Sequence, residues 1–414
     1  MISGRNIVYI SSIEWSFLWQ AHQEIARRLA AAGNRVLYIE NTGVRSPGLR
    51  DASRVASRLK RWFESLRSQG VREVAPNIFV CSPLVLPPFG SPWRRRLNRQ
   101  VFLRLVRNVM RRLQMSDPLF WTYLPTDTAL DLIAMNRTPS SLVVYYGVAD
   151  FSYLTPRTEQ LKQSERQLLQ LSDVVFANCS ELAYRFSQWN SNAHVFPPGV
   201  DMSAFPEEMA HEVETQPCFP GQSSARSVSS LSRPIIGYVG GLHRFVDYAL
   251  ISELAQARPA WSWVFLGAQQ VGLDKLKELP NVYLLGQQPH GELVSFIRRF
   301  DVCIVPYLNT EEMRTVVPTK INEYLAAGKP VVSTNLPAVC EFNEEHQVLV
   351  IASPESDTFL RSIERALEAP CDTGTIQRRR AVAALADWQV RLERMSRIIE
   401  EQMPALGAPE EVSA

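Results

Sequence analysis

A short stretch of the chain places a lysine and a glutamate at the expected start of a helix. It spans Val317–Thr334 and reads VPTKINEYLAAGKPVVST. Pro318 suits the first helical turn, where its missing N–H costs no hydrogen bond, and Gly328 predicts the end of the helix. Lys320 and Glu323 lie three residues apart, so they share one face near the positive end of the helix dipole.

Two interpretations of this lysine and glutamate are open. A helix N-terminus binds phosphate, and a carboxylate one turn further along can accept hydrogen bonds from two ribose hydroxyls. Alternatively, the two side chains form an exposed ion pair on a surface helix, which contributes little to stability. For the pair alone the ion pair is favoured, and only the rest of the chain shifts the balance toward nucleotide recognition.

The same stretch resembles the nucleotide-sugar-binding helix of GT-B glycosyltransferases, in the large bacterial group that builds surface polysaccharides. Those enzymes carry P-x-K-x-x-E-Y-L-A-x-G-K-P-V-V, and every fixed position is matched here. Further blocks similar to the same group are EWSFLWQAHQEIARRLAAAGNRVLYIE (14–40), SDVVFANCSELAYRF (172–186), HVFPPGVD (194–201), PIIGYVGGLHRFVDY (234–248) and NVYLLGQQPHGEL (281–293). The resemblance covers most of residues 1–400, weakly at 41–115, and it is specific for fold and class rather than for substrate.

The resemblance implies an α/β protein of the GT-B class, with two doubly wound Rossmann-like domains facing a central cleft. It implies that a sugar moves from a nucleotide-diphosphate sugar on the second domain to a glycan or lipid-linked acceptor on the first. The donor-binding residues expected from it are Gly240, Gly241, Arg244, His290, Thr319, Lys320 and Glu323.

Length and composition agree with a two-domain enzyme. The chain has 414 residues, of which 46% are hydrophobic and 21% are charged, as in globular enzymes. It contains no run of eighteen apolar residues, and its first residues lack a signal-peptide core. The six cysteines are scattered without a C-x-x-C pair, which predicts reduced thiols and a cytoplasmic protein.

Short apolar runs alternate with helical patterns, which predicts parallel sheets covered by helices. We expect an acceptor domain at 1–201, a linker or loose insertion at 202–233, a nucleotide-sugar domain at 234–385, and a C-terminal helix and tail at 386–414. The predicted strands are Asn6–Ser11, Arg35–Glu40, Ile78–Ser82, Pro118–Leu124, Ser141–Val148, Asp173–Cys179, Ala193–Pro197, Ile235–Gly240, Trp263–Ala268, Val282–Gly286, Val302–Pro306, Pro330–Thr334 and Val348–Ile351. The predicted helices cover 20–32, 93–115, 128–134, 157–171, 180–188, 246–257, 290–299, 318–327, 354–368 and 375–402.

Two loops that follow predicted strands of the second domain suit a nucleotide diphosphate. Gly240 and Gly241 let the backbone approach a diphosphate closely, and Arg244 can neutralise its charge; an ordinary strand–helix turn is the alternative. His290 ends the loop GQQPH, which frames the nucleobase in the resembled enzymes. It can equally cap the helix that follows.

The candidate catalytic residues are Asp150 and His22. Asp150 follows a predicted strand, where a carboxylate suits a base or a substrate ligand, and its alternative role is a helix N-cap. His22 can take a proton from an acceptor hydroxyl, although a packing or surface role is equally open. Many retaining members of the resembled group carry E-x7-E, but the residue eight before Glu323 is Thr315, so the stereochemical outcome stays open.

Metal and cofactor motifs are missing from the sequence. No D-x-D occurs, and no His, Asp or Glu cluster has the spacing of metal ligands. We therefore expect catalysis without a metal or cofactor, with the helix dipole, Lys320 and Arg244 stabilising the leaving diphosphate. The absence of G-x-G-x-x-G removes the main support for a dinucleotide-dependent dehydrogenase.

The charge is unevenly distributed. Residues 1–117 hold 20 Lys and Arg against 7 Asp and Glu, a net of +13, and residues 118–414 carry a net of −11. Much of the excess lies in PWRRRLNRQVFLRLVRNVMRRLQ (92–114), which contains no acid, and in a second basic amphipathic segment at 54–67. Such asymmetry predicts that the N-terminal part faces something anionic.

The 92–114 segment reads as an amphipathic helix with an arginine face. The default interpretation is a core-facing helix with a solvated face, but the lack of acids favours contact with the anionic inner surface of the cell membrane. The candidate membrane or acceptor residues are Arg95, Arg96, Arg99 and Arg107. Nucleic acid is not expected, because no binding module accompanies the charge.

The sequence thus predicts a glycosyltransferase of cell-surface polysaccharide synthesis, peripherally associated with the inner face of the membrane. Two alternatives remain. One is a sugar-nucleotide epimerase or hydrolase of the same fold, which would turn over the donor without any acceptor. The other is a non-catalytic membrane-associated scaffold, which the missing first glutamate allows and which would bind no nucleotide sugar.

Overall fold

The computed structural model describes residues 1–40, 70–83, 85–86, 89, 92–206, 231–370 and 372–403 of the chain. Contacts divide the molecule into two compact units, Met1–Pro197 with Arg391–Ala414, and Pro198–Val390. The boundary between them therefore falls earlier than the expected one at residue 201. The last helix is not separate, because it begins in the second unit and continues into the first.

In the described part of the first unit, eight strands form one sheet in the order β3-β4-β2-β1-β5-β6-β7-β8. All neighbouring pairs are parallel except the hairpin of β3 and β4 at one edge. Its strands are β1 (Asn6–Ile10), β2 (Arg35–Ile39), β3 (Arg72–Ala75), β4 (Ile78–Cys81), β5 (Leu119–Thr122), β6 (Val143–Gly147), β7 (Val174–Ala177) and β8 (Ala193–Val195). The central strands are continuous apolar runs, as a sheet covered on both faces requires.

Helices of the first unit connect these strands. They are α1 (Ala21–Ala31), α2 (Pro92–Leu97), α3 (Leu103–Arg112), α4 (Asp127–Asn136), α5 (Thr158–Leu171) and α6 (Ser180–Ser187). A π-helical segment, Asn98–Phe102, joins α2 to α3, so residues 92–112 are helical throughout. The second basic segment, 54–67, lies outside the described residues.

The second unit contains a six-stranded parallel sheet in the order β11-β10-β9-β12-β13-β14. Numbered from its first strand, this is the order 3-2-1-4-5-6 of a Rossmann sheet. All strands are parallel, but the order in which they are added reverses between β9 and β12. Its strands are β9 (Ile235–Val239), β10 (Ser262–Leu266), β11 (Val282–Leu284), β12 (Val302–Val305), β13 (Val331–Thr334) and β14 (Val350–Ala352). Ligands of such sheets bind outside the carboxyl ends of the strands at this reversal.

The helices described in the second unit are α7 (Tyr248–Ala257), α8 (Asp274–Lys277), α9 (Leu293–Ile297), α10 (Lys320–Ala326), α11 (Pro337–His346), α12 (Ser356–Glu368), α13 (Thr373–Leu385) and the start of α14 (Trp388–Glu401). Short 3-10 turns lie at Phe151–Leu154, Met202–Ala204, His290–Glu292 and Glu311–Met313. Among the described residues, no helix combines the length and apolar character that crossing a bilayer requires.

All thirteen predicted strands are present, but the prediction of one helix over 375–402 is wrong. The helix is interrupted at Ala386 and Asp387, because the backbone of Val200 forms hydrogen bonds with the backbones of Ala386 and Trp388. The Asp387 carboxylate accepts hydrogen bonds from the backbone N–H groups of Met202 and Gln389. A distant segment therefore ends one helix and starts the next.

The expected linker at 202–233 is packed at both of its described ends. Phe205 and Leu231 are buried in the core of the second unit. Residues 207–230, the rest of the expected linker, lie outside the described residues. The described ends thus belong to the second unit and do not form an extended connection.

Candidate functional site

The side chain of Lys320 is buried at the switch point of the second sheet. It begins α10 and is only 6% exposed. Its Nζ donates hydrogen bonds to the hydroxyl oxygens of Tyr238, at 3.1 Å, and of Tyr307. It also lies 4.5 Å and 4.6 Å from the centroids of the same two rings. Within the described residues it makes no ion pair, so its charge is held by neutral groups and is open to an anionic ligand.

The predicted glycine turn lies directly against this ammonium. Gly240 follows β9 with a φ of +141°, and a Cβ built on it would lie 2.8 Å from Cε and 2.9 Å from Nζ of Lys320. Gly267, which follows β10, has a φ of +148°, and its Cβ would meet the Gly240 carbonyl oxygen at 1.9 Å. A Cβ on Gly241 would lie 2.8 Å from Nε2 of Gln270. The positive φ angles of Gly240 and Gly267 and the backbone contact at Gly267 require glycine, whereas the contact at Gly241 is with the movable end of a side chain. The turn brings bare backbone next to the buried charge.

His243 and the predicted residue Arg244 lie further along this loop. Burial, and secondarily the charge of Lys320, lowers the pKa of His243 to about 4, so its imidazole is neutral at pH 7. Arg244 is predicted to bind phosphate, but its Nη2 lies 2.5 Å from Oε1 of Glu312. The guanidinium also lies over the ring of Phe245. A diphosphate at this position must therefore compete with the Glu312 carboxylate for Arg244.

The carboxyl group of Glu323 is half-buried one turn into α10. It makes no hydrogen bond or ion pair within the described residues, and burial raises its pKa against the opposing effects of His290 and Lys320. His290, at the start of its 3-10 turn, is exposed, as is Thr319, the residue before α10. The structure therefore groups Lys320, Glu323 and His290, and leaves an acceptor carboxylate available for ligand hydroxyls.

Sequence reasoning missed the two tyrosines that hold the lysine, as well as Gly267 and Gln270. Tyr238 lies near the end of β9 and Tyr307 lies just after β12, so both are placed at the carboxyl ends of central strands. That placement is the one signal the sequence offers, since a tyrosine at the end of an apolar strand is usually read as core. Thr315, at the position of the missing acid, is 3% exposed.

In the first unit, His22 is packed among aromatic side chains. Its ring is stacked 3.7 Å from that of Tyr123, and its Nδ1 lies 3.0 Å from the hydroxyl oxygen of Ser11. Tyr9 donates a hydrogen bond to its backbone carbonyl. Burial lowers the pKa of His22 to about 3, so the imidazole is neutral at pH 7. This disfavours the imidazolium that a general base must form, while a neutral hydrogen-bonding role fits the geometry.

Asp150 caps a 3-10 turn and is ion-paired. Its Oδ1 accepts a hydrogen bond from the N–H of Ser152, and its Oδ2 lies 2.6 Å from Nη1 of Arg185. Burial raises the pKa of Asp150, but these partners outweigh it and the net pKa is lowered. The capping alternative is therefore realised. Asp150 follows β6 and His22 follows β1, with β5 between those strands, so the sheet does not bring the two candidates together.

The predicted membrane residues line a common cavity in the first unit. It has a volume of about 460 Å³ and is lined by Pro92, Arg95, Arg96, Arg99, Gln100, Arg104, Arg107 and Met135. We call it the arginine pocket. Beside it, Trp93, Leu97 and Val101 expose 60%, 36% and 51% of their surface.

Parts of the sequence resemble those of known proteins. Residues 233–369, which contain the Lys320 site, match the family model described as Glycosyl transferases group 1. A Bacillus subtilis (strain 168) protein named for teichuronic acid biosynthesis, the glycosyltransferase TuaH, is 25% identical over 241 residues, 56% of this chain. The matched part spans 58% of that relative, which is less than two thirds of its length.

Two solved structures resemble nearly the whole chain. Sucrose-phosphate synthase from Thermosynechococcus elongatus has a TM-score of 0.67 at 15% identity, covering 96% of this chain and 98% of that one. HepE of Anabaena, in complex with UDP and glucose, has a TM-score of 0.64 at 18% identity, covering 95% and 99%. At these identities the likeness shows the fold, which is the GT-B fold expected from the sequence.

Proposed function

We propose that this chain is a GT-B glycosyltransferase of cell-surface polysaccharide synthesis, which moves a sugar from a nucleotide-diphosphate sugar to a glycan or lipid-linked acceptor. The observation that carries the proposal is the buried ammonium of Lys320 at the switch point of the second sheet, which makes no ion pair among the residues that the structure describes. That site lies inside the segment that matches the group 1 model. The relative named for teichuronic acid biosynthesis supports the polysaccharide context.

The donor binds with its diphosphate against Lys320 and the glycine turn. A diphosphate supplies the anion that Lys320 lacks, and the Gly240–Gly241 backbone allows its close approach. The half-buried carboxylate of Glu323 accepts hydrogen bonds from the ribose hydroxyls. The Anabaena structure with UDP supports a nucleoside diphosphate as the ligand class.

The chemistry follows from where charge develops. The bond between the anomeric carbon and the β-phosphate oxygen breaks, a new bond forms to the acceptor oxygen, and the acceptor hydroxyl loses its proton. Negative charge grows on the leaving diphosphate, where the buried ammonium of Lys320 stabilises it. The proton acceptor remains a prediction. Of its two candidates, Asp150 is ion-paired and His22 is neutral and buried.

The protein works at the inner surface of the membrane. The arginine pocket, together with the exposed stripe of Trp93, Leu97 and Val101, gives the first unit one cationic and one apolar face on the same helical segment. Such a combination binds the interface of an anionic bilayer, by charge attraction and by burial of the apolar side chains. This combination supports a peripheral position on the leaflet that presents a lipid-linked acceptor.

A thermal-shift screen against UDP-, GDP-, dTDP- and ADP-sugars tests the proposal. A donor that binds only the folded state raises the apparent unfolding temperature. Its transfer to an acceptor is then followed by the release of the nucleoside diphosphate. Release without any acceptor would indicate the hydrolase or epimerase alternative, and stabilisation by none of the nucleotide sugars would indicate a non-catalytic scaffold.

A further inference from the structure

The helical segment over the arginine pocket contains a local change of winding. Asn98–Phe102 forms a π-helix, in which hydrogen bonds join residues five apart. This winding places Arg99 and Arg104, five residues apart, on one face, and both line the pocket. The π segment is fixed by Asn98, whose buried amide accepts a hydrogen bond from the N–H of Leu86 and donates one to its carbonyl oxygen.

The arginines of the pocket differ in how they are neutralised. Arg95 makes two hydrogen bonds to the buried carboxylate of Asp131, at 2.8 Å and 2.9 Å, and Arg99 lies 4.0 Å from the same group. Arg96, Arg104 and Arg107 make no ion pair within the described residues. Five guanidinium groups thus line the pocket against two carboxylates, Asp131 and Asp127, whose charges both act on Arg95, which leaves a local excess of positive charge.

Guanidinium groups converging on a cavity suit a particular ligand. Each presents a planar fork of donors that matches the oxygens of a phosphate, and such charge-assisted pairs are strong and directional. The cavity, at about 460 Å³, has room for a phosphate-sized group together with adjoining atoms. A diffuse attraction to a charged surface needs neither the convergence nor the cavity, because it depends only on the number of charges.

We propose that the arginine pocket is a binding site for a doubly charged phosphate group, either a phosphomonoester or a diphosphate. Arg96, Arg104 and Arg107 contact its oxygens, and the buried carboxylate of Asp131 holds Arg95 in place and lies 4.0 Å from Arg99. The residues of this site all belong to the first unit, and those of the proposed donor site all belong to the second. If the phosphate is borne by a lipid, its chain lies along Trp93, Leu97 and Val101. Identifying that lipid as the acceptor, and only that identification, rests on the proposed function.

Hydrogen–deuterium exchange with inorganic pyrophosphate tests the site in solution. Pyrophosphate is expected to slow exchange in residues 92–112, and separately in residues 236–245 and 318–328 if it also enters the donor site. The two responses are read from different peptides, so the pocket and the donor site fail or succeed independently. No protection of residues 92–112 at saturating pyrophosphate would overturn the inference, whatever happens in the second unit.

Charge-conserving variants separate a built site from general attraction. In Arg96→Lys/Arg104→Lys/Arg107→Lys the charge is kept and the guanidinium forks are lost, so pyrophosphate affinity at residues 92–112 should fall by about tenfold or more. Arg111→Lys, an exposed position of the same helix outside the pocket, is the matched control and should change nothing. Equal protection in the triple variant and in wild type would overturn the inference.

A lipid arm distinguishes the source of the phosphate. Vesicles of phosphatidylcholine are doped with phosphatidic acid, a phosphomonoester, or with phosphatidylglycerol, a phosphodiester, at matched surface charge. Stronger binding to phosphatidic acid, lost in the triple lysine variant, identifies a lipid-borne group. Equal binding to both lipids, with pyrophosphate protection intact, identifies a soluble phosphate compound. Unchanged nucleotide-sugar binding and thermal unfolding of the triple variant show that neither the fold nor the donor site has been altered.

Discussion

Replacing Lys320 with methionine should separate donor binding from stability. The ammonium is buried, so its removal from water costs several kcal/mol in the folded state. Methionine avoids that cost but loses two hydrogen bonds from a charged donor, each contributing about 1.5–3 kcal/mol. The hydroxyl of Tyr238 also donates a hydrogen bond to the carbonyl oxygen of Gly241, at 3.0 Å, so it keeps a partner in the variant. These opposing effects are similar in size.

We therefore expect Lys320→Met to change the free energy of unfolding by less than about 2 kcal/mol in either direction. Nucleotide-sugar binding should weaken by about 2–3 kcal/mol, roughly 30- to 150-fold, because a charged partner of the diphosphate is removed. Chemical denaturation measures the first quantity and calorimetric titration the second. Lys275→Met, which removes an exposed lysine from the same unit, is the control and should alter neither.

One result would refute the reasoning. If Lys320→Met lost more than about 3 kcal/mol of stability and still bound the nucleotide sugar as wild type does, the lysine would be a structural residue. Tyr238 and Tyr307 would then serve only to stabilise the buried ammonium of Lys320, and the anionic ligand would have to bind elsewhere.

Three further predictions follow from the same geometry. Glu323→Gln should weaken nucleotide binding, measured by calorimetry, by about 1–3 kcal/mol. Because burial raises the pKa of Glu323, the native state of the wild type loses stability as the pH rises through that pKa. The variant should therefore have a higher free energy of unfolding than wild type at pH 7 and the same free energy of unfolding in acid. Sugar transfer should persist in excess EDTA, since fixed positive groups stabilise the leaving diphosphate; loss of turnover that magnesium or manganese restores would contradict this. Reversing the charge of four arginines to Glu should release the protein from anionic vesicles without changing nucleotide binding; the four are Arg95, Arg96, Arg99 and Arg107. Binding of the wild type to anionic vesicles should fall steeply as the salt concentration rises. Equal binding of the wild type to neutral and anionic vesicles would show that these arginines only form a solvated helix face.

The strands were predictable because each is a buried apolar run between turn signals. The exceptions are informative. Strand β3, with the sequence REVA, is a half-exposed edge strand without an apolar run. The break between α13 and α14 has no proline or glycine to announce it, since it is imposed by hydrogen bonds to Val200, almost two hundred residues earlier in the chain.

Some residues of the candidate site could be suggested from the sequence, whereas contacts that depend on the fold could not. Lys320, Glu323 and the glycine turn lie in continuous motifs, so the sequence could name them as candidates. Tyr307 was not predictable as a partner of Lys320, because that contact depends on how β12 lies beside β9. Asp150 was correctly placed after a strand, but its ion pair with Arg185 comes from a helix further along the chain.

The discontinuity of the first unit has a consequence for biosynthesis. Its sheet is complete by residue 195, yet residues 391–403 belong to the same unit, with Arg394 over the ring of Phe196 and Arg5 bonded to the sulfur of Met403. The second unit is one continuous segment that emerges from the ribosome before this helix does. Leu392, Met395 and Ile399, all buried in the folded protein, must therefore find the first unit after the second has been synthesised. The part of the protein that is made first is the part that finishes folding last, and until then it presents an uncovered apolar surface to chaperones and to other nascent chains.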